Sequence, residues 1–178
     1  TIKALIPAST LADVARIIPE DCDEVSILVD DAQVRFRMND IEVMSRLIDG
    51  NFPDYRQLIP KETEIHARVV RSDFTRVTKI ASLFARESGG SVTVATSSEK
   101  QLVSIHSVAS QLGENTSEAA AEVDNDGTVT LNSRYLIEAL GCFDDETIQF
   151  GFSGKLAPCI LSAKGSDDYQ HIVMPLRS

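Results

Sequence analysis

Ser45-Arg-Leu-Ile-Asp-Gly-Asn-Phe-Pro-Asp-Tyr-Arg-Gln-Leu-Ile-Pro60 is the stretch on which the fold turns. A strand-like run, Val43–Ile48, meets Gly50. Phe52, Pro53 and Tyr55 then arrive together where polar turn residues are expected. Prolines at 53 and 60 fix the backbone of this connector and keep its aromatics presented. No nucleophile, metal cluster or phosphate loop accompanies them. The combination suggests a binding groove beside a hinge rather than a catalytic centre.

Outward from this stretch the chain divides into three segments of similar plan, each about 60 residues long. Each reads as a short strand, a helix, and further strands. The first runs over residues 2–60. It has a strand at Lys3–Ile6, a helix at Ser9–Ile18, and strands at Glu24–Val29, Gln33–Met38 and Val43–Leu47. Asp30-Asp31 and Asn39-Asp40 supply tight turns between them. The second runs over residues 64–126. It has a strand at Glu64–Val70, a helix at Ser72–Arg86, and strands at Ser91–Ala95, Gln101–Ser107 and Glu118–Val123. The third starts at Gly127. Its strand is Thr128–Leu131, its helix Ser133–Leu140, and its later strands are Thr147–Phe152, Ala157–Ala163 and Gln170–Pro175.

Ser9, Ser72 and Asn132 or Ser133 are expected N-caps. Pro19, Gly89-Gly90 and Gly141 are expected stops. Alternation such as Val34-Arg-Phe-Arg-Met38 predicts antiparallel sheets with one wet face. The fold class is therefore α+β, built from repeated β-α-β-β-β units with the helices on one face of antiparallel sheets.

On helical wheels, Phe74, Val77, Ile80, Ala81 and Phe84 fall on one side of the second helix. Thr75, Arg76, Lys79, Ser82 and Arg86 fall on the other, three positive charges without an acid, and Arg71 stands just before them. The first helix turns Leu11, Val14, Ala15 and Ile18 inward, with Asp13 and Arg16 opposite. The third turns Leu136, Ile137, Ala139 and Leu140 inward and Arg134 and Glu138 outward. Solvated helix faces are the usual account of such charges and, on the residues alone, the favoured one. Leu83 stands out in the middle of the polar arc of the second helix.

Composition sets the outer bounds. The 178 residues are 43% hydrophobic, enough to bury a sizeable core, and carry a net charge of −10. A protein that coats nucleic acid is ordinarily basic, so a nucleic-acid role here rests on a local basic stripe and a loose contact. No apolar run approaches the ~20 residues of a membrane helix, and no charged-then-apolar leader opens the chain. Thr1 in place of Met reads as a fragment or a processed product. Cys22, Cys142 and Cys159 are widely spaced and read as reduced, partly buried small hydrophobes of a cytosolic protein. His66, His106 and His171 have no metal-ligand spacing, so no metal or cofactor is expected.

The quoted stretch, together with the chain end Tyr169-Gln-His-Ile-Val-Met-Pro-Leu-Arg-Ser178, resembles the bacterial sliding clamp family, the beta subunit of DNA polymerase III. The resemblance covers essentially the whole chain. In that fold two β-α-β-β-β units make one domain, with their helices side by side. It implies that residues 1–60 are the second half of a middle domain and residues 61–178 a whole C-terminal domain. The family's N-terminal domain and the first half of its middle domain have no counterpart here.

The resemblance also implies a non-enzymatic processivity factor of the bacterial cytoplasm. Clamps close as homodimeric rings around duplex DNA, with channel-lining helices that touch phosphates without reading sequence. Arg16, Arg71, Arg76, Lys79, Arg86 and Arg134 take that DNA-facing role. Ala8 and Ser9 stand where clamps often carry a basic pair. Ser82 and Leu83 take the subunit interface. Partners such as the polymerase III alpha subunit and the clamp-loader delta subunit dock linear peptides in an apolar groove between middle and C-terminal domains. The matching positions are Pro53, Gln57 and Leu58, then Asn132, Tyr135 and Pro158, then Ile172, Val173, Met174, Pro175, Leu176 and Arg177. Gln57 replaces a basic residue common in clamps.

Two other readings compete. One is a protein-interaction domain unrelated to replication. The other is a hydrolase using Asp54 near Tyr55, or Cys142 near Asp144-Asp145, although neither set has a base, an orienter and an oxyanion donor at recognisable spacing.

Overall fold

The structure is a computed structural model that describes residues 3–52, 54–163 and 169–177. By internal contacts the chain separates into two units, Thr1–Asp54 and Tyr55–Ser178.

The first unit holds helix α1 (Ala8–Ile17) and an antiparallel three-stranded sheet of β1 (Ser26–Val29), β2 (Gln33–Met38) and β3 (Ile41–Arg46), in the order β1-β2-β3. The alternation in β2 buries Val34, Phe36 and Met38 and leaves Gln33, Arg35 and Arg37 outside. Asn39 adopts φ 47°, the left-handed conformation that a tight hairpin demands and that Asn tolerates. At the other hairpin the Asp30 carboxylate accepts the Ala32 and Gln33 N–H groups at 2.9 and 2.7 Å.

Three expectations fail in this unit. Lys3–Ile6 joins no strand; the Ile48 N–H, just past β3, donates to the Leu5 carbonyl at 2.8 Å. The helix begins at Ala8 behind Pro7, with no side-chain cap, so Ser9 lies inside it. Of the expected inward face only Val14 is buried. Leu11 is 45% exposed, and Ala15 and Ile18 are exposed too.

The second unit repeats one plan twice: β4 (Ile65–Val70), α2 (Arg71–Phe84), β5 (Ser91–Ser97), β6 (Leu102–Ala109), β7 (Gly113–Val123), then β8 (Gly127–Asn132), α3 (Ser133–Gly141), β9 (Thr147–Phe152), β10 (Cys159–Ala163), β11 (Gln170–Val173). All pairings are antiparallel, in one sheet of order β11-β10-β9-β4-β7-β6-β5-β8. The leading strand of each repeat is exchanged. β4 pairs with β9 of the later repeat, and β8 pairs with β5 of the earlier one.

Helices α2 and α3 pack on each other, and α2 also packs on β6 and β7. The core forms beneath them, where Phe74 meets Phe150 edge-on with centroids 5.6 Å apart and Leu136, Leu140 and Phe152 are fully buried. Thr78, on the inward side of α2, is also fully buried. Its hydroxyl donates to the Phe74 carbonyl at 2.7 Å, which satisfies it locally.

Ser72 does not cap α2. The helix starts one residue earlier, where the Arg71 N–H donates to the Glu146 carbonyl at 2.8 Å. Asn132 does cap α3, its side-chain oxygen accepting the Arg134 N–H at 2.9 Å. Gly89 and Gly90 both take positive φ after α2, and the Gly90 N–H closes the turn on the Ala85 carbonyl at 2.8 Å.

Candidate functional site

Two surfaces of the second unit carry most of the candidate residues. The first is the outer face of α2. Arg76, Lys79, Leu83 and Arg86 are exposed, and Ser82 is half-buried with its hydroxyl on the Lys79 carbonyl at 2.7 Å. Arg86 lies beyond the last helical turn, in the loop before Gly89. The arc is not free of acid, because Asp73 in the first turn binds Arg76 at 3.1 Å. On α3, Arg134 binds Glu138 at 2.9 Å, which raises the guanidinium's pKa further. In the first unit Arg16 pairs with Asp13. Arg71 is half-buried and donates through Nε to the Asp145 carbonyl at 2.9 Å, which leaves its charge uncancelled. Among the described residues Lys79 and Arg86 make no ion pair. Wheel geometry finds a cationic face but not how its charges are shared. Leu83 is 52% exposed at the end of α2, where Glu87 accepts hydrogen bonds from the Ser110 N–H and hydroxyl of the β6–β7 turn.

The second surface gathers around the chain end. The Leu176 N–H donates to the Thr130 carbonyl of β8 at 2.8 Å, so the tail lies along the strand that leads into α3. Cys159 pairs with Val173, which sets Pro158 beside the start of the tail. Tyr135 and Met174 are 56% and 52% exposed, Pro175 and Leu176 are half-buried, and Arg177 is exposed. Val173 belongs to the core, and Ile172 pairs with Ile160. Asn132 is committed to scaffolding, since besides capping α3 its amide donates to the Gly89 carbonyl at 3.1 Å. Gln57 and Leu58 close a single 3₁₀ turn, Tyr55–Gln57, through the Leu58 N–H to the Tyr55 carbonyl at 2.9 Å, and both are exposed. Pro53 lies outside the described residues.

For the enzyme reading, the Cys142 thiol is exposed and donates to the Glu138 carbonyl at 3.3 Å. Tyr169 sits beside it, and burial followed by the hydrogen bond to Cys142 pushes the phenol's pKa up. Among the described residues no group of three or more His, Cys, Asp or Glu side chains could hold a metal ion, and no helix is long and apolar enough to cross a membrane. Sequence reasoning missed a polar chain on the outer sheet face. Thr63 Oγ1 lies 2.8 Å from His66 Nε2, and His66 Nδ1 lies 2.6 Å from Asp124 Oδ2. Those residues meet through strand pairing over a long separation, which no local pattern signals.

The family model for the C-terminal domain of the DNA polymerase III beta subunit matches residues 56–177, and the model for the central domain of the same protein matches residues 1–54. The chain belongs to the DNA polymerase III beta subunit family. Similar relatives in this family include the beta sliding clamps of Staphylococcus epidermidis, 30% identical over 178 residues, and Staphylococcus aureus, 29% identical over the same length. Each alignment takes in 99% of this chain and 47% of the relative. The chain therefore spans about half the length of the curated relatives it matches. Among solved structures, the sliding clamp of Pseudomonas aeruginosa superposes with a TM-score of 0.82 at 22% identity, over 98% of this chain and 48% of that one. The sliding clamp of Bacillus subtilis gives 0.81 at 24%, over 98% and 47%. These likenesses bear out the α+β class read from the repeats and the clamp fold that the resemblance implies.

Proposed function

We propose that this chain is part of a DNA sliding clamp, a non-enzymatic processivity factor that tethers the replicative polymerase and other proteins to duplex DNA in the bacterial cytoplasm. The observation that carries the reading is the succession of two matches, central domain then C-terminal domain of one family, with a single residue between them. On this reading residues 1–60 are half of a middle domain and residues 61–178 a C-terminal domain. Arg71, Lys79 and Arg86 meet phosphates without reading bases, with Arg76, Arg134 and Arg16 joining where they leave their carboxylate partners. Ser82 and Leu83 close a homodimeric ring.

Peptide partners, among them the polymerase III alpha and clamp-loader delta subunits, dock on the apolar surface of Tyr135, Pro158 and Met174–Arg177, with Gln57, Leu58 and Pro53 as the connector's contribution. Exposed Met and aromatic side chains around a fixed backbone suit several related peptides. Calorimetric titration with the C-terminal peptide of a bacterial polymerase III alpha subunit tests this. Met174→Ala should weaken binding by ~1–3 kcal/mol if Met174 anchors the peptide. Affinity unchanged by Met174→Ala and by removal of Leu176–Ser178 would sink the docking surface.

A further inference from the structure

The eight-stranded sheet is two four-stranded halves, β11-β10-β9-β4 and β7-β6-β5-β8, and its shortest ladder is the join between them. Only Ala67, Arg68 and Val69 pair there, with Val123, Glu122 and Ala121. By contrast β4 pairs with β9 over 6 positions, and β6 with β7 over 8. Ala67, Val69, Ala121 and Val123 line the buried side of the join. By the ordinary alternation of a strand, the N–H groups of Ala121 and Val123 face the other side, to the carbonyl and side-chain oxygens of Gln101 at 3.0 and 3.1 Å.

The outer face compensates with side chains. His66 Nδ1 and N–H meet the two Asp124 carboxylate oxygens at 2.6 and 2.7 Å, and the Asp124 N–H donates back to the His66 carbonyl at 3.2 Å. The Asn125 amide donates to the Glu64 carbonyl at 2.8 Å, and Arg68 pairs with Glu122 at 3.1 Å. On its other side His66 Nε2 meets Thr63 Oγ1 at 2.8 Å. Thr63 reaches this place because residue 151 is glycine, where a Cβ would stand 2.6 Å from that oxygen.

We propose that Thr63, His66 and Asp124 form a clasp that holds the β4–β7 seam closed and pins the end of the Tyr55–Thr63 connector to the sheet. The seam is then the place where this domain opens first, short of global unfolding, and the clasp sets how often it does so.

Native-state hydrogen exchange on the whole chain tests the proposal. The Arg68 and Glu122 amides report the seam without bonding to the clasp side chains, and the Val94 and Ile105 amides report the β5–β6 interior. In the wild type the seam amides should exchange faster than the interior ones. Asp124→Ala should accelerate the seam amides roughly tenfold, the effect of losing a charge-assisted hydrogen bond, and Val94 and Ile105, which exchange through global unfolding, by no more than that. Thr63→Val, which removes one hydroxyl and threatens folding little, should accelerate the Glu64 and Ile65 amides. Acceleration of the interior amides with none at Arg68 and Glu122 in Asp124→Ala, or no change at Glu64 and Ile65 in Thr63→Val, would overturn the clasp.

Discussion

The division of labour among the cations of α2 and α3 makes a quantitative prediction about DNA. Lys79 and Arg86 are exposed and make no ion pair among the described residues, whereas Arg134 is held by Glu138 at 2.9 Å and Arg76 by Asp73 at 3.1 Å. Each phosphate neutralised contributes about 0.9 to the slope of log affinity against log salt. Lys79→Ala should therefore lower the slope by about 0.9, so its penalty shrinks roughly three- to fourfold between ~50 and ~200 mM salt. Lys79→Ala with Arg86→Ala should give roughly the square of that, about twelvefold. Glu138→Gln frees Arg134 and should raise the slope by up to about 0.9, a gain from removing an acid that touches no DNA. Fluorescence anisotropy of a labelled duplex titrated with the chain, repeated across salt concentrations, reads these slopes. Absolute affinity should be low and indifferent to sequence. A slope unmoved by Lys79→Ala, with Glu138→Gln equally silent, would refute the assignment of α2 and α3 to DNA.

Other expectations concern stability and reactivity. The Asp124 carboxyl, despite the upward push of partial burial, is held below its ordinary 3.8 by its hydrogen bonds to His66, and Asp126 and Asp30 are lowered by the N–H groups of Ser98 and of Ala32 and Gln33. A lowered carboxyl contributes stability that is complete above its unfolded value and lost as pH falls through its folded value. Urea midpoints should thus hold steady above about pH 5 and drop below pH ~4, and less steeply in Asp124→Asn. Burial pushes the Cys159 thiol up to about 12 while Cys142 is exposed, so a thiol reagent should label Cys142 first and Cys159 only on unfolding. Gly127→Ala sets a Cβ 2.2 Å from Ile65 Cδ1 and 3.2 Å from the Phe152 ring, and should destabilise by ~1–3 kcal/mol in chemical denaturation.

Much of the fold was legible because its signals are local. The alternation in Val34–Met38 became the buried and exposed faces of β2, Asn39 took the turn conformation its side chain tolerates, and Asn132 capped α3. Helix starts at Ser9 and Ser72 were misplaced because α1 begins behind Pro7 without a side-chain cap, and at α2 the Glu146 carbonyl accepts the Arg71 N–H in place of one. Lys3–Ile6 has strand-like composition, but a strand exists only through a neighbour. The candidate surfaces divide in the same way. That Arg76 and Lys79 share a helix face follows from a 3.6-residue period, although Arg86 falls just past the helix end. That Asp73 draws off Arg76, that Asn132 is bound to Gly89, and that His66 meets Asp124 follow from side-chain geometry and strand register.

The exchange of leading strands has a consequence for how this domain comes into being. β4 finds one ladder in β7 and the longer one in β9, so Ile65 has no partner until Phe152 has been made. At ~5–20 residues per second, β4 waits several seconds on the ribosome for that longer ladder. The earlier repeat cannot complete itself first, because β5 also needs β8 from the later one. The nascent chain therefore completes its sheet only after the later repeat is made, and a chain severed between Asp126 and Gly127 would yield two pieces, each finding its missing edge in the other.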